Sequence, residues 1–129
     1  MAKTDFRPIL FLLHQCPFCL KLMIYLTEAG LIDRFDLVVF ESGSAEQLQV
    51  RDRLSPHFDQ LSFPVAEVAP GDFRKDSDAL IAYFADQGGA DPATLTLLPY
   101  YDTGVKSHVI SLFLENRDLK RKLAETQPV

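Results

Sequence analysis

The sequence predicts an α/β protein in which a mixed four-stranded sheet carries helices on both faces. Three observations lead to this prediction. The apolar run Ile9–Leu13 has no polar face, as is typical of a buried central strand. It is followed by the segment Cys-Pro-Phe-Cys at residues 16–19 and then by apolar residues at helical spacing. Strand-like and helix-like segments alternate up to residue 89 and give the order βαβαββα.

The first helix follows the cysteine pair directly. Pro17 suits the first helical position, because the N–H that proline lacks would have no helical partner there. Apolar residues recur at helical spacing over residues 20–29, and Gly30 is placed to cap the C-terminus. Residues 35–40 are expected to form the second strand. A right-handed crossover through the helix makes this strand parallel to the first.

A polar helix, a hairpin and a third helix complete the predicted domain. Residues 44–47, Ser-Ala-Glu-Gln, have the form of a capping box and begin a helix that ends near Pro56. Residues 64–68 form the third strand, residues 69–72 a turn, and residues 73–75 a short fourth strand antiparallel to the third. The last helix runs from Ser77 to the glycines at 88 and 89, and its apolar face consists of Leu80, Ile81, Tyr83 and Phe84.

Residues 90–129 are predicted to extend the domain formed by residues 1–89. We expect residues 92–101 to be irregular and one amphipathic helix to run from about Thr103 to Glu125. Docking of this helix on its own domain is the favoured interpretation, and a homodimer through it is the alternative. Its apolar positions, interrupted by one Asn, have the alternating spacing of a coiled coil: Val105, Val109, Leu112, Asn116, Leu119 and Leu123.

The composition is that of an ordinary soluble globular protein with one core. Of the 129 residues, 47% are hydrophobic and 24% are charged, which is the usual balance. The net charge of −5 argues against general binding to nucleic acid, and no apolar run is long enough to span a membrane. The N-terminal residues do not form a signal peptide. We therefore expect a cytoplasmic protein, in which a Cys-x-x-Cys pair cycles through its dithiol form.

The two cysteines, Cys16 and Cys19, are the candidate catalytic residues. Cys16 is expected to cap the helix, where free backbone N–H groups and the helix dipole stabilise a thiolate. Cys19 lies almost one turn further on, close enough to attack a mixed disulfide formed at Cys16. We expect Cys16 to be partly exposed and Cys19 to be more buried. Redox chemistry is therefore the favoured function of the pair.

Two other interpretations of the cysteine pair remain open. A closed zinc site needs four ligands, whereas the chain has no second cysteine pair and its three histidines lack ligand spacing. We therefore assign no metal ligands within one chain, and an iron–sulfur or metal-binding module would need two chains. If the thiols are inert, the domain is instead a non-enzymatic interaction module.

The cysteine corner and the βαβαββα order resemble the thioredoxin fold, and more narrowly its glutaredoxin and glutathione-transferase branch. Residues 76–84, Asp-Ser-Asp-Ala-Leu-Ile-Ala-Tyr-Phe, are similar to the acid-Ser-x-Ala-Ile-x-x-Tyr-Leu pattern at the third helix of transferase N-terminal domains. The Phe63-Pro64 step is similar to the one that precedes the third strand throughout this superfamily. The resemblance covers roughly residues 7–88.

This resemblance implies a thiol-disulfide oxidoreductase with glutathione as co-substrate and a disulfide-containing protein or small molecule as partner. It implies that Asp76 and Ser77 hold the γ-glutamyl end of glutathione; simple helix capping is the alternative from the sequence. It also implies a cis bond before Pro64, with the backbone of Phe63 offered to the cysteinyl part of glutathione. The implied glutathione-binding residues are Phe18, Phe63, Pro64, Asp76 and Ser77.

A truncated glutathione transferase is the second enzymatic interpretation. Residues 90–129 are too few for the all-helical second domain of a complete transferase, which supplies most of the site for an electrophilic substrate. A two-cysteine motif also fits disulfide exchange better than conjugation. Disulfide exchange is therefore the favoured activity. The chain departs from the glutaredoxin pattern in one respect: His14 and Gln15 stand where glutaredoxins usually carry a Lys for the glycyl carboxylate of glutathione, and either residue could take its place.

Overall fold

A four-stranded β-sheet forms the centre of the molecule. The computed structural model describes residues 6–126. The strands are β1 (Ile9–Leu13), β2 (Asp36–Phe40), β3 (Val65–Ala69) and β4 (Asp72–Lys75), and their spatial order is β2-β1-β3-β4. Strand β1 pairs in parallel with β2 and antiparallel with β3, and β3 pairs antiparallel with β4. The predicted mixed sheet is therefore confirmed.

Helices cover both faces of this sheet. They are α1 (Pro17–Glu28), α2 (Ala45–Leu54), α3 (Ser77–Asp86), α4 (Leu97–Gly104) and α5 (Lys106–Thr126). Helices α1 and α3 share a core with Leu10 and Leu12 of β1, while α2 shares a second core with Phe11. Two separate cores arise because successive side chains of a strand point to opposite faces. The molecule has the predicted α/β fold with a thioredoxin-like arrangement.

The local signals that begin and end the helices lie where the sequence predicts them. Pro17 is the first residue of α1, and Gly30, just beyond its end, has a positive φ of 75°. Ser44 caps α2 by accepting a hydrogen bond from the N–H of Gln47. The Gln47 side chain accepts in turn from the N–H of Gly43, which completes a capping arrangement.

The C-terminal extension contains two helices, although the sequence predicts one. Residues 97–104 form α4, so the prediction that residues 92–101 are irregular is wrong. Pro99 is compatible with this helix because it lies in the first turn, where its missing N–H has no helical partner. Helix α5 begins at Lys106, later than the predicted Thr103, because the helical geometry is interrupted at Val105.

Helix α4 is fixed to α1 at two points. At one end the Glu28 carboxylate accepts hydrogen bonds from the N–H groups of Thr96, Leu97 and Leu98, at 3.3, 2.7 and 2.7 Å. The bonds from Leu97 and its two neighbours lower the pKa of Glu28. Further along α4 the Tyr101 hydroxyl donates to the Pro17 carbonyl at 2.7 Å. Glu28 thus supplies the cap that α4 lacks within its own segment.

A buried lysine of α1 connects this helix with α3 and α4. Lys21 Nζ lies 2.5 Å from Asp78 Oδ1 and 2.9 Å from Asp102 Oδ1, and Lys106 Nζ lies 2.6 Å from the same Asp102 oxygen. Burial favours the neutral amine, but the two carboxylates outweigh it and raise the pKa of Lys21. The charged side chain therefore ties the extension to the domain.

Most of α5 is not covered by the rest of the described chain. None of its residues is buried, and Leu112, Leu119 and Leu123 are 50%, 57% and 59% exposed. The prediction that this helix docks on its own domain is confirmed only for its first half, where Val109 and Phe113 are partly buried, and α4 is the helix that docks through buried side chains. Among the described helices, α5 included, none is both long enough and apolar enough to cross a membrane.

Candidate functional site

The cysteine pair lies at the corner between β1 and α1. Cys16 is the N-cap residue of α1, with φ −104° and ψ 117°, and its Sγ accepts a hydrogen bond from the Cys19 N–H at 3.4 Å. The Cys19 Sγ accepts from the N–H of Leu13, also at 3.4 Å. Both cysteines are free thiols. The predicted capping position of Cys16 is confirmed.

Cys16 is buried, which corrects the prediction that it is partly exposed. The exposed fraction is 8% for Cys16 and 3% for Cys19, so only the predicted order of exposure is confirmed. Cys16 Sγ lies 3.9 Å from the Phe63 carbonyl oxygen, and Tyr101 of α4 bonds to the same turn of α1. These covering groups come from distant parts of the chain, and a local helical pattern does not encode them.

The surroundings of Cys16 stabilise its thiolate. The hydrogen bond from the Cys19 thiol lowers the pKa of Cys16 to about 6; burial opposes this shift, and the N–H groups of Cys19 and Phe18 add to it. The hydrogen bond to Cys16, burial and the charge on Cys16 together raise the pKa of Cys19. At neutral pH the pair therefore consists of one thiolate and one thiol.

Four of the five predicted glutathione-binding residues are neighbours of one another, and Phe63 among them faces Cys16. The bond between Phe63 and Pro64 is cis, as the resemblance implied, and the Phe63 carbonyl faces the Cys16 sulfur. Pairing of β3 with β4 brings Asp76 next to Pro64, whose carbonyl accepts a hydrogen bond from the Asp76 N–H at 3.3 Å. Ser77, the first residue of α3, is buried.

Asp76 has an unusual backbone conformation at the start of α3. Its φ is 83°, in a region that residues other than glycine rarely adopt. Its side chain makes no hydrogen bond to the N-terminus of α3, so capping by Asp76, the alternative from the sequence, is contradicted. Such conformations are frequent at ligand sites, because the surrounding structure holds them against their cost.

Phe18, the fifth predicted residue, contributes to the site through its backbone. Its N–H helps to lower the pKa of Cys16, whereas its side chain lies on the first turn of α1 and is 38% exposed. His14 and Gln15, which precede the cysteines, line a cavity beside them. His14 Nδ1 lies 3.7 Å from Glu41 Oε2, so a protonated imidazole would form an ion pair there.

This cavity has a volume of about 760 Å³ and is lined by both cysteines. Leu20 and Met23 of α1 and Val39 of β2 make part of its apolar wall. The first half of α5 makes another part, through Val109, Leu112, Phe113 and Asn116. A volume of this size is typical of small-molecule sites. Val109, Leu112 and Asn116 are among the positions predicted from the sequence at coiled-coil spacing, but their nearness to the cysteines was not predicted.

Tyr101 is a neighbour of the cysteine pair that was not predicted from the sequence. It is 4% exposed, and its hydroxyl bonds to the carbonyl of Pro17. The one local signal is the spacing of Leu98 and Tyr101, which places two large apolar groups on the same face of a helix. Pro99 between them obscured this signal because proline usually ends helices.

The described residues combine sulfur nucleophiles with backbone acceptors and donors. A thiolate beside a thiol is suited to attack on a sulfur–sulfur bond, because the thiolate is the attacking species. Within residues 6–126, no three side chains of His, Cys, Asp or Glu come together in a group that could hold a metal ion.

Comparison with known proteins does not assign the chain to a family. No protein-family model matches it, and no curated protein matches it. What the structure defines is a class: an α/β protein of thioredoxin-like arrangement, with two free thiols at the N-terminus of its first helix.

Proposed function

We propose that this protein is a glutathione-linked thiol-disulfide oxidoreductase of the glutaredoxin type. The observation that carries the proposal is the state of Cys16, a helix-capping thiol whose pKa is lowered to about 6 by the neighbouring Cys19 thiol. Exchange of disulfides requires a thiolate, and Cys16 supplies one at neutral pH. With Cys19 as the second thiol, the pair can complete a cycle in which a substrate disulfide is reduced.

In the first step the Cys16 thiolate attacks the glutathione sulfur of a mixed disulfide between glutathione and a second thiol. A bond forms between Cys16 Sγ and that sulfur while the sulfur–sulfur bond of the substrate breaks. The second thiol leaves as a thiolate and takes a proton from solvent. The protein now holds glutathione in a mixed disulfide at Cys16.

In the second step Cys19 loses its proton and attacks Cys16 Sγ. Glutathione leaves as a thiolate, and a Cys16–Cys19 disulfide forms. The hydrogen bond to Cys16 and the charge on Cys16, which both raise the pKa of Cys19, are absent once Cys16 is in the mixed disulfide. Cys19 therefore ionises more easily when it must attack. Two molecules of glutathione then reduce the protein disulfide and become oxidised glutathione.

In this proposal glutathione lies against the segment around Phe63, which faces Cys16. The cysteinyl backbone of glutathione pairs with the backbone of Phe63, next to the Cys16 sulfur that forms the mixed disulfide. The Asp76 carboxylate does not cap α3 and is thus available to the γ-glutamyl ammonium group. The N–H groups in the first turn of α3, with the Ser77 hydroxyl, suit the γ-glutamyl carboxylate.

The activity itself is tested with a glutathione mixed disulfide of a small thiol. Reduced protein and excess glutathione are supplied, and the formation of oxidised glutathione is followed. Turnover well above the uncatalysed exchange supports the proposal. A rate no faster than glutathione alone contradicts it.

A double substitution, Asp76→Ala with Ser77→Ala, is expected to weaken the binding of glutathione by roughly 10-fold or more, since it removes polar contacts to charged groups. The fold should remain, because Asp76 makes no side-chain cap. Calorimetric titration of the reduced protein with glutathione measures the affinity.

A matched variant, Asp76→Asn, separates charge from conformation. Asn tolerates a positive φ better than Ala, so Asp76→Asn removes the charge at little cost to the backbone. It should therefore weaken binding with a near-native melting temperature. Native affinity in both the double variant and Asp76→Asn would exclude this subsite.

Conjugation of glutathione to an apolar electrophile is a second candidate function. The observation that favours it is the apolar cavity of about 760 Å³ that adjoins Cys16. An assay of the wild type with a generic aromatic electrophile decides between the two candidates. Conjugation without reduction of mixed disulfides would favour the transferase.

The exposed seam of α5 leads to a prediction about self-association. Leu112, Leu119 and Leu123 are exposed in the single chain, and Asn116 lies among them at coiled-coil spacing. If two chains pair through this seam, Asn116→Leu tightens their association, because a buried Asn costs stability. Sedimentation across a concentration series measures it, with Arg117→Leu as a control outside the seam. A wild type that is monomeric at every concentration would exclude the pairing.

A further inference from the structure

The Tyr101 hydroxyl makes a buried hydrogen bond to the helix that carries the cysteines. It donates to the Pro17 carbonyl at 2.7 Å, and the two residues are 84 positions apart in the chain. Pro17 is the first residue of α1 and directly follows Cys16. A residue of the C-terminal extension therefore acts on the turn in which Cys16 lies.

This carbonyl shares a peptide unit with a group that stabilises the Cys16 thiolate. The C=O of Pro17 and the N–H of Phe18 form one trans, planar unit, so they point in opposite directions. The N–H of Phe18 is among the groups that lower the pKa of Cys16. A donor at the carbonyl end restrains the unit and polarises it, which strengthens the N–H as a donor at the other end.

We propose that Tyr101 is a positioning residue for Cys16: the Tyr101 hydroxyl holds and polarises the peptide between Pro17 and Phe18, and the N–H of this peptide stabilises the Cys16 thiolate. The inference rests on the proposed function, in which this thiolate is the nucleophile. Tyr101 does not contact the substrate in this proposal. It acts on Cys16 through the peptide unit between Pro17 and Phe18.

Tyr101 is kept protonated and in place by its surroundings. Burial, and then the negative charge of Cys16, raise the pKa of Tyr101, so the hydroxyl remains a donor. The Glu28 cap and the ion pair between Lys21 and Asp102 fix α4 on both sides of the bond. The donor is therefore rigidly held, as a positioning role requires.

Around the hydrogen bond from Tyr101 to Pro17, the described titratable and charged groups belong to α1, α4 and the loop before α1. Cys19 donates to Cys16 from α1, and His14 lines the adjoining cavity. On Tyr101 itself, Asp102 acts to raise the pKa and Lys21 to lower it. The α5 residues that line the cavity are uncharged: Val109, Leu112, Phe113 and Asn116.

The test is the substitution Tyr101→Phe in the full-length reduced protein. It keeps the ring and removes the hydroxyl, so we expect the pKa of Cys16 to rise by about 0.5–1 unit, the effect of weakening one hydrogen bond to the charged form. The rate of alkylation at Cys16 as a function of pH measures this pKa, with mass spectrometry to identify the modified thiol. Tyr100→Phe is the matched control, because Tyr100 is the adjacent tyrosine and is 68% exposed.

A Tyr101→Phe protein that melts at a lower temperature but keeps the wild-type pKa of Cys16 would overturn the inference, since the tyrosine would then be merely structural. Should this variant not fold, the double variant Glu28→Ala with Asp102→Asn serves instead, because it frees α4 on both sides of the hydrogen bond; a folded protein with the wild-type pKa of Cys16 would then contradict the inference. The measurement needs no glutathione. A shift in a protein that lacks oxidoreductase activity contradicts the proposed function alone, and activity without a shift contradicts the Tyr101 inference alone.

Discussion

The substitution Cys16→Ser is expected to lower the rate of reduction of a glutathione mixed disulfide by about three orders of magnitude or more, because a serine hydroxyl is not ionised near neutral pH. The fold should be unaffected, since Ser also accepts hydrogen bonds at an N-cap. Steady-state formation of oxidised glutathione measures the activity, and melting temperature measures the fold. Equal rates in the wild type and in Cys16→Ser would contradict the proposed function.

Two substitutions of Cys19 separate its two roles. Cys19→Ser keeps a hydrogen-bond donor beside Cys16 but loses the attacking thiol, whereas Cys19→Ala loses both. In the wild type, alkylation of Cys16 should increase with pH around a midpoint near 6, and Cys19→Ala should move this midpoint upward because the largest stabilising group is gone. Cys19→Ser should lie closer to the wild type. A lower midpoint in Cys19→Ala would mean that Cys19 does not stabilise the thiolate.

Cutting the chain after Gly89 is expected to destabilise the domain by about 3–6 kcal/mol, since the buried side chains of Leu98 and Tyr101 are both lost. Domains of this kind have total stabilities of about 5–15 kcal/mol, so the cut removes a large share of the stability and the truncated chain should unfold at a much lower urea concentration or aggregate. The cut also removes the Ala90 carbonyl that accepts a hydrogen bond from Tyr25. Urea unfolding and sedimentation measure the outcome.

A chain that ends at Lys106 is the matched control for this truncation. It keeps α4, Asp102 and the lysine that pairs with Asp102, and it loses only α5, none of whose residues is buried. We therefore expect its unfolding midpoint to be close to that of the full chain. A cut after Gly89 that leaves a monomer of native stability would show that α4 contributes little.

The order and bounds of the elements up to residue 89 could be predicted because each depends on local signals. Pro17, Ser44 and Gly30 act within one turn of their own helices, and strand patterns repeat every second residue. Local signals did not predict α4 in the C-terminal extension, because Pro99 lies in this helix and Glu28 caps it from another segment. A cap supplied by a residue about 70 positions away has no local signature.

The candidate site was predictable to the same extent. The N-cap position of Cys16 could be predicted from the Cys-Pro-Phe-Cys motif. The placement of Phe63 and Asp76 in one region of the structure could be predicted from the resemblance. The burial of Cys16 did not follow, because part of its cover comes from groups remote in sequence. The left-handed backbone of Asp76 was also unpredictable, since nothing in its sequence neighbourhood requires it.

The long reach of the bond between Tyr101 and Pro17 has a consequence during protein synthesis. Ribosomes add about 5–20 residues per second, so the 84 residues between the partners take roughly 4–17 seconds to translate. For almost all of that interval the nascent chain contains both cysteines but lacks the tyrosine. By the time Tyr101 is added, the segments that form β3, β4 and α3 have been made. In the proposed role of Tyr101, the Cys16 thiolate is therefore fully stabilised only after translation has supplied Phe63, which faces it.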